Sequence, residues 1–96
     1  MGGDLEFEWD AEKAAANQAK HDVTFEEATT AFADPRSFSV ADPRHSQDEP
    51  RFAILGRSAR GRLLAVFFTE RGARTRIISA REATRRERGT YEHGTF

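Results

Sequence analysis

Six arginines stand in the stretch RTRIISAREATRRERGTYE, residues 74 to 92, against three acidic side chains. The guanidinium group is planar, stays charged at any working pH and pairs bidentately with phosphate oxygens, so this density of arginine points to a phosphate-gripping surface. Read as a strand, the start of the stretch aims Arg74 and Arg76 to the same side of a sheet. The pair Ser79 and Glu82 has capping-box spacing and predicts a helix from about Ala80, with Arg81, Arg85 and Arg88 in one stripe along it. Arg81 in the first turn of such a helix would oppose the positive end of the helix dipole, a local cost of roughly a few tenths of a kcal/mol. A phosphate bound at the helix start would offset that cost. The alternative is an ion pair between Arg81 and Glu82 or a carboxylate from the first half of the chain. The phosphate reading therefore requires the guanidinium groups of strand and helix to converge, and not to be neutralised one by one by amino-terminal carboxylates.

Proton carriers are few. His21 closes the first predicted helix, where a histidine is more often a C-terminal cap than a catalyst. His45 lies between Asp42 and Glu49, with a spacing that matches no metal-ligand signature, and His93 belongs to the C-terminal tail. Glu70, at the end of a buried strand and expected near Arg74 or Arg76, and Tyr91 complete the acid-base candidates. There is no cysteine, which excludes a disulfide framework, a thiolate nucleophile and cysteine-ligated zinc. No Walker loop, GxGxxG, GxSxG, HExxH or EF-hand pattern occurs, so no cofactor is expected. The enzymatic option that remains is metal-free phosphodiester cleavage, with RNA as the substrate that suits it. There the 2′-hydroxyl is itself the nucleophile, and the protein needs only to align it, stabilise the phosphorane and assist two proton transfers.

Charge is divided along the chain. Residues 1 to 50 hold twelve Asp or Glu and four Lys or Arg, whereas residues 51 to 96 hold eleven Arg and four acids, so a net charge of -1 conceals a strongly basic second half. That asymmetry fits a nucleic-acid surface or internal pairing of the two halves. Ninety-six residues read as a single domain, 1 to 96, with one modest core. No segment approaches the roughly 20 apolar residues of a membrane span, and the start carries no signal peptide, so a cytoplasmic protein with no membrane association is expected.

The supporting elements follow from periodicity. Phe7 and Trp9 alternate with acidic residues as a short strand. Asp10 caps a helix over AEKAAANQAK, with Ala11, Ala14, Ala15 and Ala19 as its inward stripe. Thr24 and Glu27 form a capping box for a second helix, whose inner face is Phe25, Ala28 and Phe32 and which Asp34-Pro35 stops. Residues 34 to 50 contain all three prolines and read as a loop with one weak strand at 37 to 40. RFAILGR, RLLAVFFTE and RTRIISA then form an antiparallel meander with glycine-containing turns. The order β-α-α-β-β-β-α describes an α+β domain of two layers, helices on an antiparallel sheet.

FEWD at 7 to 10, Asn17, KHDVTFEEA at 20 to 28, RFAILGRS at 51 to 58 and RIISAREATRRERGTYE at 76 to 92 resemble the BrnT family of type II toxins. Where that family usually has Lys-His-Gly, this chain has Asp22, which tolerates the left-handed conformation better than most residues. The resemblance implies a RelE-like fold, ribonuclease activity that inhibits translation, and a cognate BrnA-like antitoxin that binds operator DNA. It carries over His21, Arg51, Arg76, Arg81 and Tyr91. In the working division of labour, Arg76 and Arg81 stabilise the phosphate, Glu70 or His21 moves a proton, and Arg51, Arg62, Arg85 and Arg88 hold the RNA backbone. The competing reading is a non-catalytic module that docks an acidic partner or acts as a DNA-bound corepressor.

Overall fold

The computed structural model describes residues 5–45 and 49–94, with only the backbone of His45, so the metal reading at that side chain lies outside the described residues. The elements are β1 (Glu6–Glu8), α1 (Ala11–His21), α2 (Phe25–Ala31), β2 (Phe38–Ala41), a 3-10 turn (Pro43–His45), β3 (Phe52–Arg57), β4 (Leu63–Arg71), β5 (Arg74–Glu82) and α3 (Arg85–His93). They form one five-stranded sheet in the order β1-β5-β4-β3-β2. The α+β class stands, with two changes. The weak strand became a full member of the sheet, β2, and β1 pairs parallel to β5, so the sheet is mixed rather than antiparallel.

Alternate residues of the central strands define two faces. Leu64, Val66 and Phe68 of β4 and Ile54 of β3 meet Val23, Phe25, Ala28 and Ala31 in the core, so the helices cover this face of the sheet. Phe7, Trp9 and Phe32 extend this core with edge-to-face ring contacts. Gly56 is where α2 presses closest. A Cβ there would collide with the carbonyl oxygen of Ala31, so no larger residue fits without moving the helix. Both predicted N-caps form, with Asp10 accepting from Lys13 N–H and Thr24 from Glu27 N–H, but the box expected at Thr24 stays half-made because the Glu27 carboxylate is turned to Ser58 and Arg62. Asp22 closes α1 in the left-handed region, at φ 58° and ψ 35°.

Of the alanine stripe expected inside α1, only Ala14 packs against the core. Ala11, Ala15 and Ala19 are exposed, and the helix is anchored instead by Asn17, which is buried. Its amide donates to the carbonyls of Val23 (2.9 Å) and Ala80 (2.8 Å) and accepts from Ala80 N–H at 3.0 Å. Because β1 pairs only with residues 74 to 76 of β5, the rest of that strand edge lacks a neighbour, and Asn17 takes the place of a strand residue there. Hydrophobic periodicity cannot register a buried amide that works in this way.

The largest correction concerns the last helix. It begins at Arg85, not near Ala80, and its capping box is Thr84 with Glu87. Residues 78 to 82 continue β5 because β4 is apolar and central, and its backbone from Leu64 to Phe67 requires a partner along its whole length. Arg81 is therefore a strand residue, and the helical stripe joining it to Arg85 and Arg88 does not exist. Gly94 ends α3 at φ 70°.

Candidate nucleic-acid interface

Arg76 and Arg81 are five positions apart, an odd spacing that in a regular strand sends side chains to opposite faces. A β-bulge reverses this. Phe67 pairs with Ser79 and Phe68 with Ile77, leaving Ile78 with no residue opposite. The buried positions change parity accordingly: Thr75 and Ile77 before the bulge, Ala80 after it. Arg74, Arg76 and Arg81 consequently share the face that α1 and α2 do not cover, since their cross-strand partners are Arg71, Thr69 and Ala65. Re-aiming a side chain is a recognised use of bulges near functional sites.

α3 lies over one end of this second face and leaves the rest open. The open part combines Phe67, which is half-buried, with the three arginines of β5, and the Arg81 guanidinium sits 5.3 Å above the Phe67 ring. Each of these arginines already has a carboxylate. Arg81 is held bidentately by Glu87, at 2.7 and 3.0 Å, and Glu87 at the same time accepts from Thr84 N–H to close the capping box. Arg76 donates to Glu8 at 3.0 Å, and Arg74 lies 3.5 and 3.6 Å from Glu6 and Glu8. Arg74, Arg76 and Arg81 share one face of β5, but the strand-to-helix convergence that the phosphate reading requires does not form as expected, because Arg81 belongs to the strand and makes no stripe with Arg85 and Arg88. The absence of amino-terminal neutralisation holds for Arg81, whose partner Glu87 comes from α3, and fails for Arg74 and Arg76.

These pairs shift acidity in the expected directions. The Arg81 hydrogen bond holds the Glu87 carboxyl below its ordinary range against a desolvation effect that works the other way, and Glu87 in turn raises Arg81. Arg76 lowers Glu8 in the same manner.

The other predicted residues are dispersed over the fold. Arg62 is committed to structure: it bonds both carboxylate oxygens of Glu27, with Nε–Oε2 at 3.0 Å, and also reaches Glu82 at 3.2 Å and the Asp22 carbonyl at 2.9 Å. Ser58 Oγ donates to the same Glu27 at 2.7 Å, and the Glu27 carboxyl is lowered chiefly by the Arg62 hydrogen bond. Tyr91 is buried and its hydroxyl donates to Asp34 Oδ2 at 2.6 Å, a bond that raises its pKa. The Arg36 and Arg57 guanidiniums lie 5.4 and 5.6 Å from its ring. Tyr91 thus moors α3 to the loop after α2. Glu70 is exposed and stands opposite Thr75, on the helix-covered side and away from Arg74 and Arg76. His21 lies at the outer edge of β5 in a shallow groove of about 230 Å3, shared with Lys13, Lys20 and Ser79. Ser79 is the residue between Arg76 and Arg81 on the open face, so this groove continues the arginine surface around the sheet edge. Arg51 sits directly before β3, where its carbonyl accepts from Asp42 N–H, and Arg85 and Arg88 are one turn apart on α3.

Sequence reasoning did not identify Phe67, Lys13, Lys20 or the bulge. The adjacent Ile77-Ile78 pair, which breaks the alternation of β5, was the available signal. Among the described residues, no three His, Cys, Asp or Glu side chains converge so as to hold a metal ion, and no helix is long and apolar enough to cross a membrane.

A small α+β domain with a mixed sheet, one helix-covered face and one arginine-bearing open face is the class that fold and site define. Residues 9–87 match the family model described as ribonuclease toxin, BrnT, of type II toxin-antitoxin system, and the chain belongs to that family. Its fold is similar to the 1.1 Å crystal structure of the Brucella abortus ribonuclease toxin BrnT, with a TM-score of 0.62 and 22% identity over 85% of this chain and 100% of that one. No curated protein matches the chain.

Proposed function

We propose that this member of the family is a metal-independent endoribonuclease that arrests translation in the cytoplasm and is neutralised by a BrnA-like antitoxin, which carries it indirectly to operator DNA. The observation that supports this reading best is the bulge at Ile78, which brings Arg76 and Arg81 to one open face beside an aromatic ring. In the reaction, the 2′-oxygen forms a bond to phosphorus as its proton passes to a base. The bond from phosphorus to the 5′-oxygen then breaks, and that oxygen takes up a proton, leaving a 2′,3′-cyclic phosphate.

Arg81 and Arg76 stabilise the charge that builds on the phosphorane oxygens, where preorganised donors are most effective. Glu87 and Glu8 hold them in place before RNA arrives, and phosphate then displaces the carboxylates. Among the proton carriers, His21 is favoured because its groove borders Ser79. Tyr91 is engaged with Asp34, and Glu70 faces the other side. Arg51, Arg85 and Arg88 follow the RNA backbone. Arg62 leaves that group, because breaking its pair with Glu27 would unsettle the fold.

Incubation of the purified chain with end-labelled RNA in EDTA tests the reading. Fragments ending in 2′,3′-cyclic phosphate are expected. Intact RNA with binding preserved would transfer the arginine face to the non-catalytic docking role.

A further inference from the structure

Between the open face and α3 lies a cleft of about 190 Å3, lined almost wholly by apolar atoms. Ala53, Leu55 and Ala65 form its floor, Phe38 and Val40 its outer wall. Val40 is 39% exposed, one of two large hydrophobic side chains so open to solvent among the described residues. Such a surface stays apolar at a cost, and its size limits what can fill it. An apolar cavity of about 150 Å3 accepts a benzene-sized ring. This cleft therefore takes one six-membered heterocycle with its exocyclic groups, and is too small for a helix.

The remaining wall is polar at its edge. Arg86, Glu87 and Thr90 of α3 line it. Thr90 Oγ1 donates to the Arg86 carbonyl at 3.2 Å, which leaves its lone pairs free to accept, and the exposed Arg86 guanidinium offers donors. Glu87 is the residue that grips Arg81, so the cleft and the proposed phosphate contact share one side chain as their boundary. A flat ring with hydrogen-bonding edges, tethered to an anion one side chain away, is the chemistry of a nucleotide.

We infer that the cleft receives a pyrimidine base of the RNA, with its adjoining phosphate on Arg81. This rests on the nuclease reading and adds the element of the substrate that the protein selects. Bases bind such sites by contact of their faces with apolar side chains and by hydrogen bonds from their edges. The single-ring dimension is what favours pyrimidines, because a purine would stand partly out of the cleft.

The test is an NMR titration of the full chain with uridine 3′-monophosphate, adenosine 3′-monophosphate and inorganic phosphate. The uridine nucleotide is expected to shift Ala53, Ala65 and Thr90 and to bind roughly tenfold more tightly than phosphate, with the adenosine nucleotide between them. Ala53→Leu, which fills the cleft, should erase the difference between nucleotide and phosphate, and Thr90→Val, which keeps the shape, should reduce it. Mapped cuts in a mixed-sequence RNA should cluster beside pyrimidines for the unaltered chain and lose that preference in Ala53→Leu. Equal binding of all three ligands, or an unchanged cleavage pattern in Ala53→Leu, would overturn the inference. RNA cut without pyrimidine preference sinks the cleft alone; uridine nucleotide bound in the cleft with RNA uncut sinks the nuclease alone. If nucleotides ignore the cleft and Ala53→Leu instead weakens the complex with a neutralising antitoxin, the site belongs to a protein partner and the base assignment is wrong.

Discussion

Two arginine-carboxylate pairs in this protein share their chemistry and differ in their surroundings. Arg62 and Glu27 sit against the covered side of the sheet, with side chains 20% and 5% exposed, and their remaining donors and acceptors are taken by Ser58, Asp22 and Glu82. Arg81 and Glu87 sit on the open face and are half-buried, 31% and 29% exposed. Enclosure of the carboxylate separates them, 5% exposed in Glu27 and 29% in Glu87. A buried charge that loses its partner is stranded in a medium that cannot solvate it, whereas one nearer to solvent exchanges its partner at smaller cost. The first pair is therefore a joint between the acidic and basic halves of the chain. The second can hand its guanidinium to an incoming phosphate.

The sharpest way to break that comparison is to remove one carboxylate from each pair. Glu27→Ala should cost about 3–5 kcal/mol, a large part of the stability of a domain this size, and urea unfolding will read it. A loss no greater than that of Glu87→Ala would erase the distinction. Arg81→Ala comes next and moves a different quantity: its effect on stability should be small, while RNA cleavage falls by about 100- to 1,000-fold, as for other lost oxyanion donors. Affinity for uncleaved RNA should change little, since a contact made in the transition state lowers the rate and leaves ground-state binding intact. Equal loss of binding and rate would reduce Arg81 to a docking residue.

Acid sharpens the contrast further. Glu27, Glu87 and Glu8 are each held below the ordinary glutamate value of 4.5 by their arginines. Asp34 is likewise lowered: burial opposes its charged form, but bonds from Tyr91 and from the Arg57 and Arg36 amides outweigh it. A carboxyl depressed in the folded state contributes stability that is present above its unfolded pKa and lost as pH falls through the folded one. Stability should therefore decline below about pH 4.5, and Glu27→Gln should flatten that decline more than Glu87→Gln. The smallest effect belongs to Glu87→Gln at neutral pH. Glutamine can still close the capping box, so the melting temperature should hardly move while phosphate binding strengthens a few-fold as Arg81 is released. Unfolding of this variant would mean that the pair on the open face is as structural as the pair at Glu27.

Much of the scaffold was legible without coordinates. Asp10 and Thr24 capped the helices they were expected to cap, and the meander of β3, β4 and β5 lay where alternating and apolar runs placed it. These are local decisions, made by residues within a turn of one another. The site was legible in its residue types and not in its geometry. Ser79 with Glu82 and Thr84 with Glu87 have the same spacing, and nothing local chooses between them.

Residue types by themselves determined that this chain has an arginine-rich second half, two capped amino-terminal helices and an α+β order. Tertiary structure alone decided where β5 ends, that Asn17 serves as its missing neighbour, and that Ile78 bulges to put Arg76 and Arg81 on one face. The reason is the requirement of β4 for a backbone partner along its whole length. That demand comes from a different part of the chain, and it outweighs a helix-start signal worth about 1 kcal/mol.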